Sequence, residues 1–143
     1  MQAEGGEPVQ VTTNGGYEAV ESGDGQFLYY NKFGYETIGI FRMPVQGGDE
    51  TFVFDFIQLE STGDWYLAHD GIYFIHRYNN LKLSAHMAIR FFDFATRQKT
   101  TVVALDRDPG SNPGLNVSAD GQSFIFSKID NLNWDIMLVE NFH

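Results

Sequence analysis

Cysteine is missing from all 143 residues, which removes disulfides, thiol nucleophiles and cysteine-based zinc or iron–sulfur sites. Positive charge is scarce: 9 Lys and Arg stand against 19 Asp and Glu, a formal charge of −10 at pH 7. Nucleic-acid binders present a basic footprint to phosphate, so that class is excluded, and anionic membrane surfaces are disfavoured for the same reason. No apolar stretch approaches the length of a membrane span. The opening residues are acidic, Gly-rich and polar, without the charged-then-apolar pattern of a signal peptide. A cytoplasmic protein is expected.

Catalytic and metal signatures are absent as well. His69, His76, His86 and His143 are scattered, with no H-x-x-x-H or H-E-x-x-H spacing. There is no P-loop, no dinucleotide fingerprint and no D-x-D-x-D-G calcium loop. A G-x-S-x-G elbow is lacking, because Gly110-Ser111-Asn112-Pro113-Gly114 has its serine misplaced. No metal and no cofactor is expected.

What is present is aromatic and extended. Hydrophobic residues make up 43% of the chain, with 13 Phe and 7 Tyr, a composition that suits stacked sheets and opposes disorder. Three times a short run ends in Asp-Gly and restarts as an aromatic-rich strand, at Asp24-Gly25, Asp70-Gly71 and Asp120-Gly121, 46 and 50 residues apart. Strands repeated at such a period are the mark of propeller blades. Asp-Gly between apolar runs predicts primed hairpin turns at all three places.

Four strands per repeat are expected. The first repeat has them at 17–22, 27–32, 37–44 and 50–56. The second has them at 64–69, 72–77, 88–94 and 99–105. The third has only three, at 114–118, 124–128 and 134–140. The blades thus run over about 17–56, 64–105 and 114–141, within one domain of residues 1–143. The opening Met1-Gln2-Ala3-Glu4-Gly5-Gly6-Glu7 echoes Met43-Pro44-Val45-Gln46-Gly47-Gly48-Asp49, the turn before an outermost strand. Residues 8–13, with Val9 and Val11 alternating with polar neighbours, are expected to be the strand that the last blade lacks.

These units resemble the TolB-type, WD40-like (PD40) bacterial β-propeller repeat. Ser22-Gly23-Asp24-Gly25-Gln26-Phe27 and Ser118-Ala119-Asp120-Gly121-Gln122 match its Ser-Pro-Asp-Gly motif with Gly or Ala for Pro, and Ala68-His69-Asp70-Gly71 matches it less well. The closing Asp135-Ile136-Met137-Leu138-Val139-Glu140-Asn141-Phe142 is similar to the last strand of propellers fused to bacterial winged-helix regulators or protein kinases. The resemblance is to the C-terminal half of such a propeller. It implies an all-β fold and a docking or sensing role.

Three blades cannot close, since propeller rings hold about four to eight. The tether Asn14-Gly15-Gly16 spans about 10–14 Å, enough to reach a neighbouring blade only. A two-fold pair closes at six blades, whereas three copies would need nine. A homodimer with exchanged N-terminal strands is therefore expected, its seam formed by Val9, Val11, Trp134, Ile136 and Leu138.

Function is less legible. A non-catalytic module binding a protein or peptide partner is the favoured reading. The alternative is a small-ligand or lyase/hydrolase-type propeller with acids at the channel mouth. The residue six positions before each Asp-Gly aspartate is Glu18, Asp64 or Gly114, and the first strand of each blade lines the channel in the family the chain resembles. Tyr17, Glu18, Asp64 and Trp65 are the candidate ligand residues, because acids beside aromatic rings can hold a cation, a sugar or a basic peptide. Phe33 and Tyr35, in the loop expected between the second and third strands of the first repeat, are candidate exposed aromatics.

Overall fold

The computed structural model describes residues 7–33, 38–55, 64–78, 86–106, 114–130 and 133–140. The protein is all-β; among the described residues there is no helix, and eleven strands form three antiparallel sheets. It divides into two units, Met1–Phe54 and Asp55–His143.

The first unit holds one sheet of strands β1 (Tyr17–Glu21), β2 (Phe27–Phe33), β3 (Ile38–Pro44) and β4 (Thr51–Phe54), paired in chain order. Tyr29, Asn31 and Ile40 are buried on one face, while Tyr30, Phe41 and Met43 form a core cluster on the other. Apolar residues at consecutive positions are what a strand covered on both faces requires. At β3 and β4 the register slips between Ile40 and Phe41, so that Ile40 faces Phe54 and Phe41 faces Phe52, passing over Val53.

The second unit contains a complete sheet and a shorter one. β5 (Trp65–Leu67), β6 (Gly71–Tyr78), β7 (His86–Asp93) and β8 (Lys99–Leu105) pair in order. β9 (Asn116–Val117), β10 (Ser123–Asp130) and β11 (Asn133–Glu140) form the third sheet, with β10 central and β11 at the edge among the described residues. The two sheets pack face to face. Ile75 and Ile89 from the second sheet meet Phe124 and Phe126 from the third and Leu115 just before β9, flanked by Val103, Leu105, Met137 and Val139. Tyr73 and Phe124 meet edge to face with ring centroids 5.2 Å apart. Each fully buried side chain of this size stabilises by about 1.5–3 kcal/mol.

Two of the three Asp-Gly turns share one geometry, and it is not the primed hairpin expected from the dipeptide. The Ser22 amide donates to the Phe27 carbonyl, and the Gly25 amide to the Ser22 carbonyl. Asp24 accepts from the Gln26 amide and from the Ser22 hydroxyl. Ser118, Asp120 and Gln122 repeat the arrangement. Positive φ occurs only after the aspartate, at Gly25 (+70°) and Gly121 (+69°). A primed turn would need it earlier, within a two-residue loop.

The Asp70-Gly71 turn departs further. Ala68 donates directly to the Gly71 carbonyl, so the loop is His69-Asp70 and Gly71 already belongs to β6. Packing dictates the glycine here. A Cβ at Gly71 would lie 2.2 Å from the Phe92 carbonyl oxygen and 2.3 Å from the Phe91 ring.

Residues 8–13 belong to no strand in the single chain. Tyr35, His143 and the echo motif at residues 1–6 lie outside the described residues, as do the side chains of His86 and Trp134.

Candidate functional site

Of the four candidate ligand residues, Tyr17 and Glu18 lie on β1 in the first unit, while in the second unit Trp65 opens β5 and Asp64 immediately precedes it. Tyr17 is exposed and packs on Phe33, with ring centroids 5.6 Å apart. Glu18 sits at a register shift between β1 and β2, with φ +48°, a conformation that L-residues other than Gly, Asn and Asp seldom adopt. Its carboxylate accepts from the Asn31 side-chain amide at 2.9 Å. Asp64 is completely buried and accepts from the Arg77 guanidinium at 2.5 Å. Trp65, which follows it, is buried too.

Glu18–Asn31 and Asp64–Arg77 are each thirteen residues apart. Both join an acid on or beside the first strand of a sheet to a polar residue of the adjoining strand. This repeated tie fixes each first strand to its sheet, and in the second sheet it does so with the acid out of solvent. Removing one partner of a buried ion pair costs about 3–5 kcal/mol. In the single chain Asp64 therefore presents no surface to a ligand.

Other polar clusters are local. On the first sheet the Tyr30 hydroxyl donates to Glu50, and the Lys32 ammonium lies 2.6 Å from the same carboxylate. The hydrogen bond from Lys32 holds Glu50 below the usual carboxylate range. Burial, together with Glu50, pushes the Tyr30 phenol up. In the second unit Lys99 holds Asp55 low through a hydrogen bond. Burial lowers His76, helped by the charges of Arg90 and Lys99. Among the described residues no group of three or more His, Asp or Glu could hold a metal ion.

The more distinctive surface is apolar, on the third sheet. Along β11 the side chains alternate in environment: Met137 and Val139 pack on the second sheet, while Ile136 and Leu138 are 80% and 55% exposed. Ile125, opposite Leu138 on β10, is 42% exposed. Beside this edge an apolar groove of about 160 Å³ runs between β8 and the third sheet, lined by Val103, Leu105, Met137 and Val139 among others. A second groove, of about 320 Å³, lies on the first sheet and is bounded by residues 11–14, Tyr30, Met43 and 48–50.

Of the expected seam residues, Val9 and Val11 are exposed in the single chain, as are Ile136 and Leu138. The backbone of Trp134 pairs with Ile129 in the β10–β11 ladder. Sequence reasoning did not single out the grooves. Their signal is an alignment of Val11-Thr12-Thr13-Asn14 with Val103-Ala104-Leu105-Asp106, a repeat too degenerate in its side chains to notice without the grooves.

In comparison with known proteins, no family model matches this chain, and no curated protein matches it.

Proposed function

We propose that the three sheets are blades of a half-propeller that closes to six blades as a homodimer, and that the ring is a non-catalytic module for docking a protein or peptide. The face-to-face packing of the second and third sheets carries this reading. Sheets stacked through Ile75 and Ile89 against Phe124 and Phe126 are the unit from which a ring of blades is built. The third sheet repeats the apolar pattern on its outward face, at Ile125, Ile136 and Leu138, as a blade with a following neighbour would. Apolar patches of this kind on a protein surface mark contact sites, and a two-fold pair supplies an identical neighbour at both seams.

The burial of Asp64 against Arg77 supports the non-catalytic reading over acids at a channel mouth. Tyr17, with Glu18 beside it, is the exposed remainder of that alternative. Multi-angle light scattering tests the assembly. Each chain is 16.2 kDa, and the expected mass is twice that; a folded species of 16.2 kDa at micromolar concentration overturns the ring. Retention of a binding partner by the dimer, undiminished in Tyr17→Ala and Glu18→Gln, is the outcome expected of a docking module. Loss of binding in those variants would favour the ligand site.

A further inference from the structure

The two grooves are the same groove seen twice. Tyr30 lies three residues after Phe27, whose carbonyl closes the first Ser-x-Asp-Gly turn, and Phe126 lies three after Ser123, which closes the third. Met43 faces Leu28 across β2 and β3, and Val139 faces Phe124 across β10 and β11 in the corresponding place. Tyr30 and Met43 line the groove on the first sheet; Phe126 and Val139 line that on the third. The opposite wall is four consecutive residues in each case: 11–14 on the first sheet and 103–106, at the end of β8, on the third. β8 is the outermost strand of the sheet that precedes the third. Residues 11–14 therefore stand against the first sheet where the outermost strand of a preceding sheet belongs.

We infer that this preceding sheet is the third sheet of a second copy, and that residues 8–13 add to its β11 edge as a fourth strand. The inference rests on the half-propeller reading. The chain's own third sheet is ruled out as the acceptor because a ring of three blades falls below the range of four to eight. Addition of a strand to an open edge gains main-chain hydrogen bonds along its length, with alternate side chains giving specificity.

The register follows from the two complete sheets. Ile40, Ile89 and Ile136 face equivalent positions of their central strands, at Asn31, Ile75 and Ser127. Ile89 faces Val103, and the ladder then passes over Val102 to pair Arg90 with Thr101. Ile40 and Phe41 pass over Val53 in the same way. Setting residues 11–14 in the place of 103–106 puts Val11 opposite Ile136 and Val9 opposite Met137, with Gln10 in the bulge. Val9 and Val11, exposed in the single chain, then lie on the partner's sheet.

The natural lack of cysteine makes a disulfide test clean. One chain carries Val11→Cys and a second Ile136→Cys; directly opposed strand residues place Cβ atoms within disulfide reach after small adjustment. Oxidising the mixture is expected to give a covalent dimer containing one of each chain, with neither variant cross-linking alone. Val11→Asp, which sets a charge in the apolar seam, is expected to weaken dimerisation by about tenfold or more. A folded dimer of the right mass that forms no such disulfide, or is indifferent to Val11→Asp, overturns the exchange and leaves the half-propeller dimer standing. A chain carrying both cysteines that closes its disulfide within itself overturns the second copy as acceptor. A wild-type monomer overturns both readings.

Discussion

The two faces of the third sheet are built from neighbouring residues and meet opposite fates. On one, Phe124, Phe126, Met137 and Val139 close against the second sheet. On the other, Ile125, Ile136 and Leu138 stand open in the single chain. An antiparallel sheet with one solvated face alternates apolar with polar residues. β11 does not: Ile136-Met137-Leu138-Val139 is apolar throughout, as in β7, where Met87, Ala88 and Ile89 are buried in succession. The lesson is that an uninterrupted apolar strand demands cover on both faces, and the described residues of a single chain cover only one.

The closed face is expected to give the largest effect. Phe124 is fully buried and in edge contact with Tyr73, so Phe124→Ala should cost about 3–5 kcal/mol in urea denaturation. A cost near zero would mean that the inward face is no better covered than the outward one, and the contrast would collapse.

The turns sharpen the comparison from a second side. Gly71→Ala drives a Cβ into the Phe92 backbone, and overpacking of this kind costs about 1–3 kcal/mol. Gly121→Ala meets no atom within 4 Å, but its φ of +69° adds about 1–2 kcal/mol of backbone strain. Thermal melts should rank the Gly71 variant as the worse. The reverse order would show that the second and third sheets begin alike after all.

The smallest effect is one of pH. His76 has its pKa lowered from 6.5, first by burial and then by Arg90 and Lys99. The unfolded chain takes up a proton before the folded one does, so stability should fall as pH drops below 6.5, and the neutral substitution His76→Gln should remove that slope. Glu50 titrates lower: its depressed pKa means that its tie to Lys32 and Tyr30 is present at neutral pH and lost as pH falls below 4.5. Unfolding followed from pH 8 to 3 separates the two windows: the upper step belongs to His76, and the lower is shared by Glu50 and Asp55, so Glu50→Gln should remove only part of it.

Much of the strand plan was legible because aromatic and branched runs between turns leave little choice. The expected strand at 99–105 coincides with β8, and those at 27–32 and 37–44 differ from β2 and β3 by one residue. The first strands of the second and third sheets are shorter than expected, β5 covering Trp65–Leu67 and β9 only Asn116–Val117. The Asp-Gly dipeptide was read for its local conformation, and the primed turn it suggests forms at none of the three places: at Gly25 and Gly121 a longer Ser-closed loop takes over, and at Gly71 the glycine answers to a neighbour on another strand. Asp64 was likewise legible as an acid at the start of an inner strand. Its burial was not, because Arg77 reaches it only through the β5–β6 pairing. The candidate site was thus visible as residue types, while the two grooves needed the sheets to be in place.

Amide hydrogen exchange across residues 133–140 in the wild-type protein tests most directly whether a second copy completes the third sheet. An edge strand leaves about half its amides without a ladder partner, whereas an interior strand protects nearly all of them. The expected result is slow exchange along the whole of β11, matching β7 at residues 86–93 and failing on dilution as the dimer separates. Fast exchange at every second residue of β11, unchanged by concentration in a folded protein, would contradict the account.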